Sequence, residues 1–122
     1  MKDLMNKIYK DNDLDKSDVY KDKRGFSIIK RSGIEKIQAN NNIQVEFEHI
    51  SWSMDNCVIK AISYIDGEKK METYASATKE NCIQKFRIEI AEKRALARII
   101  IKTMNLTDTY GEDELKFQKN DR

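Results

Sequence analysis

Arg87, Arg94, Arg98 and Lys102 follow one another at spacings of seven, four and four, the intervals that bring side chains onto one face of an α-helix. Stacked this way they form a cationic stripe roughly 80° wide. The chemistry suited to such a stripe is neutralisation of a row of phosphates. Ala91 and Ala95 lie beside it and leave room for an anionic chain to approach the helix backbone. Glu89, four residues before Lys93, and Glu92, two before Arg94, offer the plainer alternative of a solvated, self-neutralised face.

Base stacking is the second chemistry a strand binder needs, and it tolerates any sequence because every base has a π-face. Trp52, Tyr64 and Tyr74 are the candidate platforms, Trp52 close to His49 and near a strand edge. Tyr64 and Tyr74 have the alternative of packing as core or cross-strand partners. Lys60, Lys69 and Lys70 extend the cationic surface or, equally, act as edge-strand lysines that discourage aggregation.

Catalytic constellations are scarce. His49 is the only histidine, so a Ser-His-Asp triad or a histidine-based metal site would have to be built around it. Asp55 with Glu68 and Lys70 sketches a magnesium nuclease. Glu68, however, directly follows a turn signal, whereas a metal-holding acid belongs well inside a strand beside its partner. The four glycines, at 25, 33, 67 and 111, form no phosphate-cradling loop. Cys57 and Cys82 belong to no paired zinc or redox motif. The expectation is a protein that is not an enzyme and uses no metal or cofactor.

The elements that must position these side chains are read from periodicity. The helix expected over residues 81–106 carries, next to its cations, an apolar arc of Ile83, Phe86, Ile90, Ala97, Ile100, Ile101 and Met104. Ile43, Val45 and Phe47 alternate with Gln44, Glu46 and Glu48, the pattern of a half-buried antiparallel strand. Residues 56–65 form a second strand and residues 69–77 a third. Asp66 and Gly67 join them, since both positions of a tight hairpin turn must accept positive φ. Ahead of this meander, residues 26–30 read as a short strand. Ser32 and Glu35 form a capping box that opens a helix over residues 33–39, burying Ile34 and Ile37 and closed by Asn40, Asn41 and Asn42. The fold class expected is α+β: a short strand and helix, a three-stranded antiparallel meander, and a long helix packed on the sheet.

With 122 residues, 36% of them charged and 39% hydrophobic, the chain fits one small domain. A net charge of +2 is too small to argue for nucleic acid from bulk electrostatics, so any such case rests on where the cations sit. Residues 1–24, with alternating charges, are expected to be a flexible arm. Residues 25–106 form the domain, and residues 107–122 an acidic polar tail containing Glu112, Asp113 and Glu114. The first residues lack an apolar leader and no run reaches membrane-spanning length, so the expected location is cytoplasmic.

Four segments carry a family likeness. ASATKENC at residues 75–82, AEKRALARIIIKTMNL at 91–106 and YGEDEL at 110–115 together resemble the C-terminal half of small recombination proteins encoded by phages and prophages. SIIKRSGIEKI at residues 27–37 is similar to the first helix of the same proteins. The resemblance implies a single-stranded DNA-binding or strand-annealing protein of the essential-recombination-function class. It points to Lys93, Arg94 and Arg98, with Asn81 at a strand-to-helix corner, and it implies assembly into rings or filaments and a host recombination protein as a further partner. The site expected is therefore Arg87, Lys93, Arg94, Arg98, Lys102, Asn81, Lys60 and Trp52. The alternative is a protein-binding adaptor or inhibitor that meets a basic host protein through Glu46, Glu48, Glu112, Asp113 and Glu114.

Overall fold

Period-two alternation from Ile43 onward does produce a strand, the first of three in an antiparallel meander. In the computed structural model, which describes residues 2–53, 56–78, 87–106 and 109–115, the chain runs α1 Lys2–Asp11, β1 Val19–Lys21, β2 Ser27–Ile29, α2 Arg31–Asn40 and β3 Ile43–Trp52. It continues with β4 Asn56–Ile65, β5 Glu68–Thr78, α3 Arg87–Thr103, β6 Thr109–Gly111 and a 3₁₀ turn, Glu112–Leu115. Strands β3, β4 and β5 lie in that order, with β3 and β5 as edges. Asp66 (φ 55) and Gly67 (φ 79) make the tight β4–β5 turn, both in the left-handed region as the sequence requires.

Cross-strand rows set the inner face of this sheet: Phe47, Ala61 and Thr73 in one, His49, Ile59 and Ala75 in the next. Helix α3 covers that face. Ala61, Ala75 and Ala77 from the sheet and Ala91 and Ala95 from the helix are all 4% exposed or less. Small residues on both sides let helix and sheet approach closely, and Ile59, Ile99 and Ile100 fill the remaining space. This corrects the expected orientation of α3. Its centre of burial is the line Ala91, Ala95 and Ile99, with Ala97, Ile100 and Ile101, while Ile90 and Met104 are only partly buried. The two alanines expected to admit an anionic chain admit the sheet instead. Ile83 and Phe86, placed on the apolar arc by the sequence, lie outside the described residues.

A second sheet had no counterpart in the sequence reading. Strand β2 pairs antiparallel with β1 and parallel with β6. The folded unit therefore extends past residues 25–106 in both directions: part of the expected arm supplies β1, and part of the expected tail supplies β6 and the 3₁₀ turn. Asp18 holds the first of these extensions. Its side chain is 1% exposed and its carboxylate accepts hydrogen bonds from Ser32 Oγ (2.6 Å), Lys36 Nζ (2.7 Å) and the Asp15 amide (3.1 Å). Burial works to raise the Asp18 pKa, but the bonds from Lys36, Ser32 and Asp15 outweigh it and hold the group down at about 2. Ser32 is thereby diverted from the capping box. The N-cap of α2 is Lys30, with no side-chain cap bond. The helix still buries Ile34 and Ile37, and Asn41 closes it by donating to the Ile37 carbonyl at 2.8 Å. Gly33 allows α2 to lie this close to β2, because a Cβ there would stand 2.7 Å from Ile29 Cγ2.

Candidate nucleic-acid interface

The four cations of the expected stripe do not face solvent together. Arg94 is 5% exposed. Its Nη1 donates to the Ser76 carbonyl at 2.8 Å and its Nε to the Asp113 carbonyl at 3.3 Å. Arg98 donates from Nη1 to the Tyr74 carbonyl (2.6 Å) and from Nε to Glu114 Oε1 (3.0 Å). Glu114 in turn accepts the Gly111 amide through its other oxygen at 2.9 Å. Arg87 is half-buried in the first turn of α3, and Lys102 is exposed in the last. The spacing of seven, four and four thus identifies one helix face correctly, but opposite its middle stand an edge strand and the 3₁₀ turn. Carbonyls of β5 and the acidic Glu112–Leu115 segment need donors there, and Arg94 and Arg98 supply them.

Two expected site residues, Arg94 and Arg98, nonetheless meet the candidate platform Tyr74 at one place. A surface hollow of about 390 Å³ at the β5 edge is lined by Val58, Tyr74, Ala75, Ser76, Arg94, Arg98 and Glu114. Tyr74 is 51% exposed, and Lys60 Nζ lies 6.0 Å from its ring centroid. The Arg98 side chain is 42% exposed despite its two partners. Acids temper the charge here. Lys60 bonds Glu72 at 3.0 Å and Lys69 bonds it at 3.2 Å. The Glu72 hydrogen bond raises the Lys60 pKa, and the bonds from Lys60 and Lys69 lower that of Glu72.

The remaining expected residues are scattered. Lys93 is exposed and lines a separate hollow of about 250 Å³ between α2 and α3, with Arg31 and Asp113. Trp52 ends β3 opposite Cys57, and Asn81 lies outside the described residues, as do Asp55 and Cys82. Tyr64 donates to Glu46 Oε1 at 3.1 Å, a bond that raises its pKa. Of the acidic residues assigned to an adaptor surface, Asp113 is 8% exposed and Glu114 is bound to Arg98, whereas Glu46 and Glu48 are exposed on β3.

The Lys60–Tyr74 pair has a sequence signal that a one-residue irregularity hides. Counting back from the Asp66-Gly67 turn sets Thr73 opposite Lys60. A bulge in β5 between the partners of Ser63 and Tyr64 shifts the register, so Tyr74 stands opposite Lys60 and shares its face. Among the described residues no group of three or more His, Cys, Asp or Glu could hold a metal ion, and no helix is long and apolar enough to cross a membrane. Comparison with family models, with curated proteins and with solved structures finds no match to this chain.

Proposed function

We propose that the chain binds single-stranded DNA without catalysing a reaction, and that it promotes strand annealing in cytoplasmic, phage-type recombination, as its resemblance to that class implies. The observation that supports this is the Lys60, Tyr74 and Arg98 cluster at the β5 edge. It offers an exposed ring for a base, with an ammonium and a partly exposed guanidinium beside it for the flanking phosphates. Only about two phosphates are contacted there, so affinity should fall by roughly 1.4 log units per decade of salt, half of what a four-cation stripe would give.

Titration of labelled poly-dT at two salt concentrations tests the reading. Tyr74→Ala removes an exposed ring and should weaken binding about fivefold or more with unchanged stability, while Tyr74→Phe should bind like the parent. Unaltered binding by Tyr74→Ala would remove the cluster from consideration.

A second reading, the protein-binding adaptor, is favoured by edge strand β3, where Glu46 and Glu48 flank Phe47 (38% exposed) and precede Ile50 (51%). The same edge suits self-assembly. Light scattering with and without DNA reads the assembly, and a pull-down from nuclease-treated lysate reads the adaptor.

A further inference from the structure

The hairpin of β1 and β2, together with β6, carries a second surface that the β5 edge does not account for. Register pairs Tyr20 with Ile28 and Ile28 with Tyr110, so the three form one row across the small sheet. The next residue, Ile29, belongs to the main core, which puts the Tyr20, Ile28 and Tyr110 row on the opposite face, with Ile28 fully buried at its centre, Tyr20 partly buried and Tyr110 38% exposed. Phe26 packs edge-on against Tyr110, ring centroids 5.4 Å apart. Cations sit over both ends of this aromatic face. The Arg24 guanidinium is 4.9 Å from the Phe26 centroid, and Lys30 Nζ is 5.7 Å from that of Tyr20.

The hairpin tip is set in advance. Asp22 Oδ1 accepts the amides of Arg24 (2.9 Å) and Phe26 (3.0 Å), its carbonyl accepts the Gly25 amide (3.0 Å), and Gly25 takes φ 89. Lys21 and Lys23 are exposed beside it, and neither makes an ion pair among the described residues. Charge decides the partner class. Lys21, Lys23, Arg24, Lys30 and Arg31 face two carboxylates here, Asp22 paired with Arg24 at 2.8 Å and Asp113 paired with Arg31 at 3.6 Å, so the surface keeps a positive excess. Rings aligned across a sheet with cations at both ends are suited to bases and phosphates together, whereas an acidic peptide would use the cations alone.

We infer that this face is a second single-strand-binding surface, separate from the Tyr74 cluster, so that one molecule holds polynucleotide at two places. The inference rests on the strand-binding reading above and deepens it, since pairing two strands requires holding both.

Anisotropy titrations of labelled 25-mer oligo-dT against the full chain test it, with thermal unfolding of each variant alongside. Tyr110→Ala should bind about fivefold or more weakly, and Tyr110→Phe should match the parent. Lys21→Ala/Lys23→Ala leaves the Asp22 turn intact and should reduce the salt slope by about 1.4, leaving the roughly 1.4 that the β5 edge supplies. If the hairpin variants bind like the parent while Tyr74→Ala does not, this inference is overturned and the β5-edge reading stands. If the hairpin variants weaken binding and Tyr74→Ala does not, the hairpin is the sole binding surface, and the β5-edge cluster and the two-place inference both fall. Competition by poly-glutamate as effective as by unlabelled oligo-dT would show that the rings contribute nothing, and would overturn it as well. A parent that shows no salt-dependent binding removes both.

Discussion

Replacing Arg94 by Ala separates a structural guanidinium from a ligand-binding one. At 5% exposure Arg94 donates to two carbonyls, Ser76 on β5 and Asp113 in the 3₁₀ turn. Hydrogen bonds from a charged donor contribute about 1.5–3 kcal/mol each, and truncation also leaves both acceptors without this donor and opens a void between α3, β5 and the turn. The expected loss is therefore about 3–5 kcal/mol, or roughly 10–20 °C in midpoint for a domain of this size. Urea unfolding followed by circular dichroism measures it. Arg94→Lys keeps the charge without the fork that reaches two carbonyls, and should recover less than half of the loss. A phosphate-binding arginine on a solvated face behaves in the opposite way, since its removal changes stability by less than about 0.5 kcal/mol. If Arg94→Ala unfolds within about 1 kcal/mol of the parent, the assignment of Arg94 to the scaffold is wrong.

Arg98→Ala should destabilise less, by about 1–2 kcal/mol, because the pair with Glu114 is half in water; a loss as large as that of Arg94→Ala would contradict this ranking. Gly111→Ala would set a Cβ against that of Ala97 and should cost about 1–3 kcal/mol. Ala97→Gly in the same chain should restore part of it, and strictly additive losses would refute the contact. Asp18 has a folded pKa of about 2, below its ordinary 3.8. The stability it contributes is complete above pH of about 4 and is lost as pH falls through about 2. Asp18→Asn should flatten that part of the stability profile, and parallel profiles for parent and variant between these values would count against the Asp18 network.

Strongly periodic segments were legible without coordinates. Alternation at Ile43, Val45 and Phe47, the Asp66-Gly67 turn and the long α3 helix yield the meander and its cover, because each encodes burial on a local period. What escaped depends on contacts distant in sequence. Three-residue strands such as Val19–Lys21 and Thr109–Gly111 are too short to show alternation, and their pairing with Ser27–Ile29 has no local signature. Ser32 and Glu35 satisfy the capping pattern, yet Asp18, fourteen positions away, takes the Ser32 hydroxyl. The site reading met the same limit. Spacing sets which α3 residues share a face, but not whether that face meets water or the edge of β5. Ala91 and Ala95 read equally well as an opening for a ligand or for a sheet.

The parallel contact between β2 and β6 has a consequence for how the protein is made. Until Thr109–Gly111 has emerged during synthesis, Ser27–Ile29 lacks one of its two neighbours, and Arg94 and Arg98 lack the Asp113 carbonyl and the Glu114 carboxylate. The nascent chain can close its meander early, because those contacts are local, but the small sheet must wait for a partner about eighty residues downstream of β2. Cleavage just after α3 would accordingly leave a partly built molecule with buried Arg94 and half-exposed Arg98 lacking these acceptors, a ready substrate for quality-control proteases.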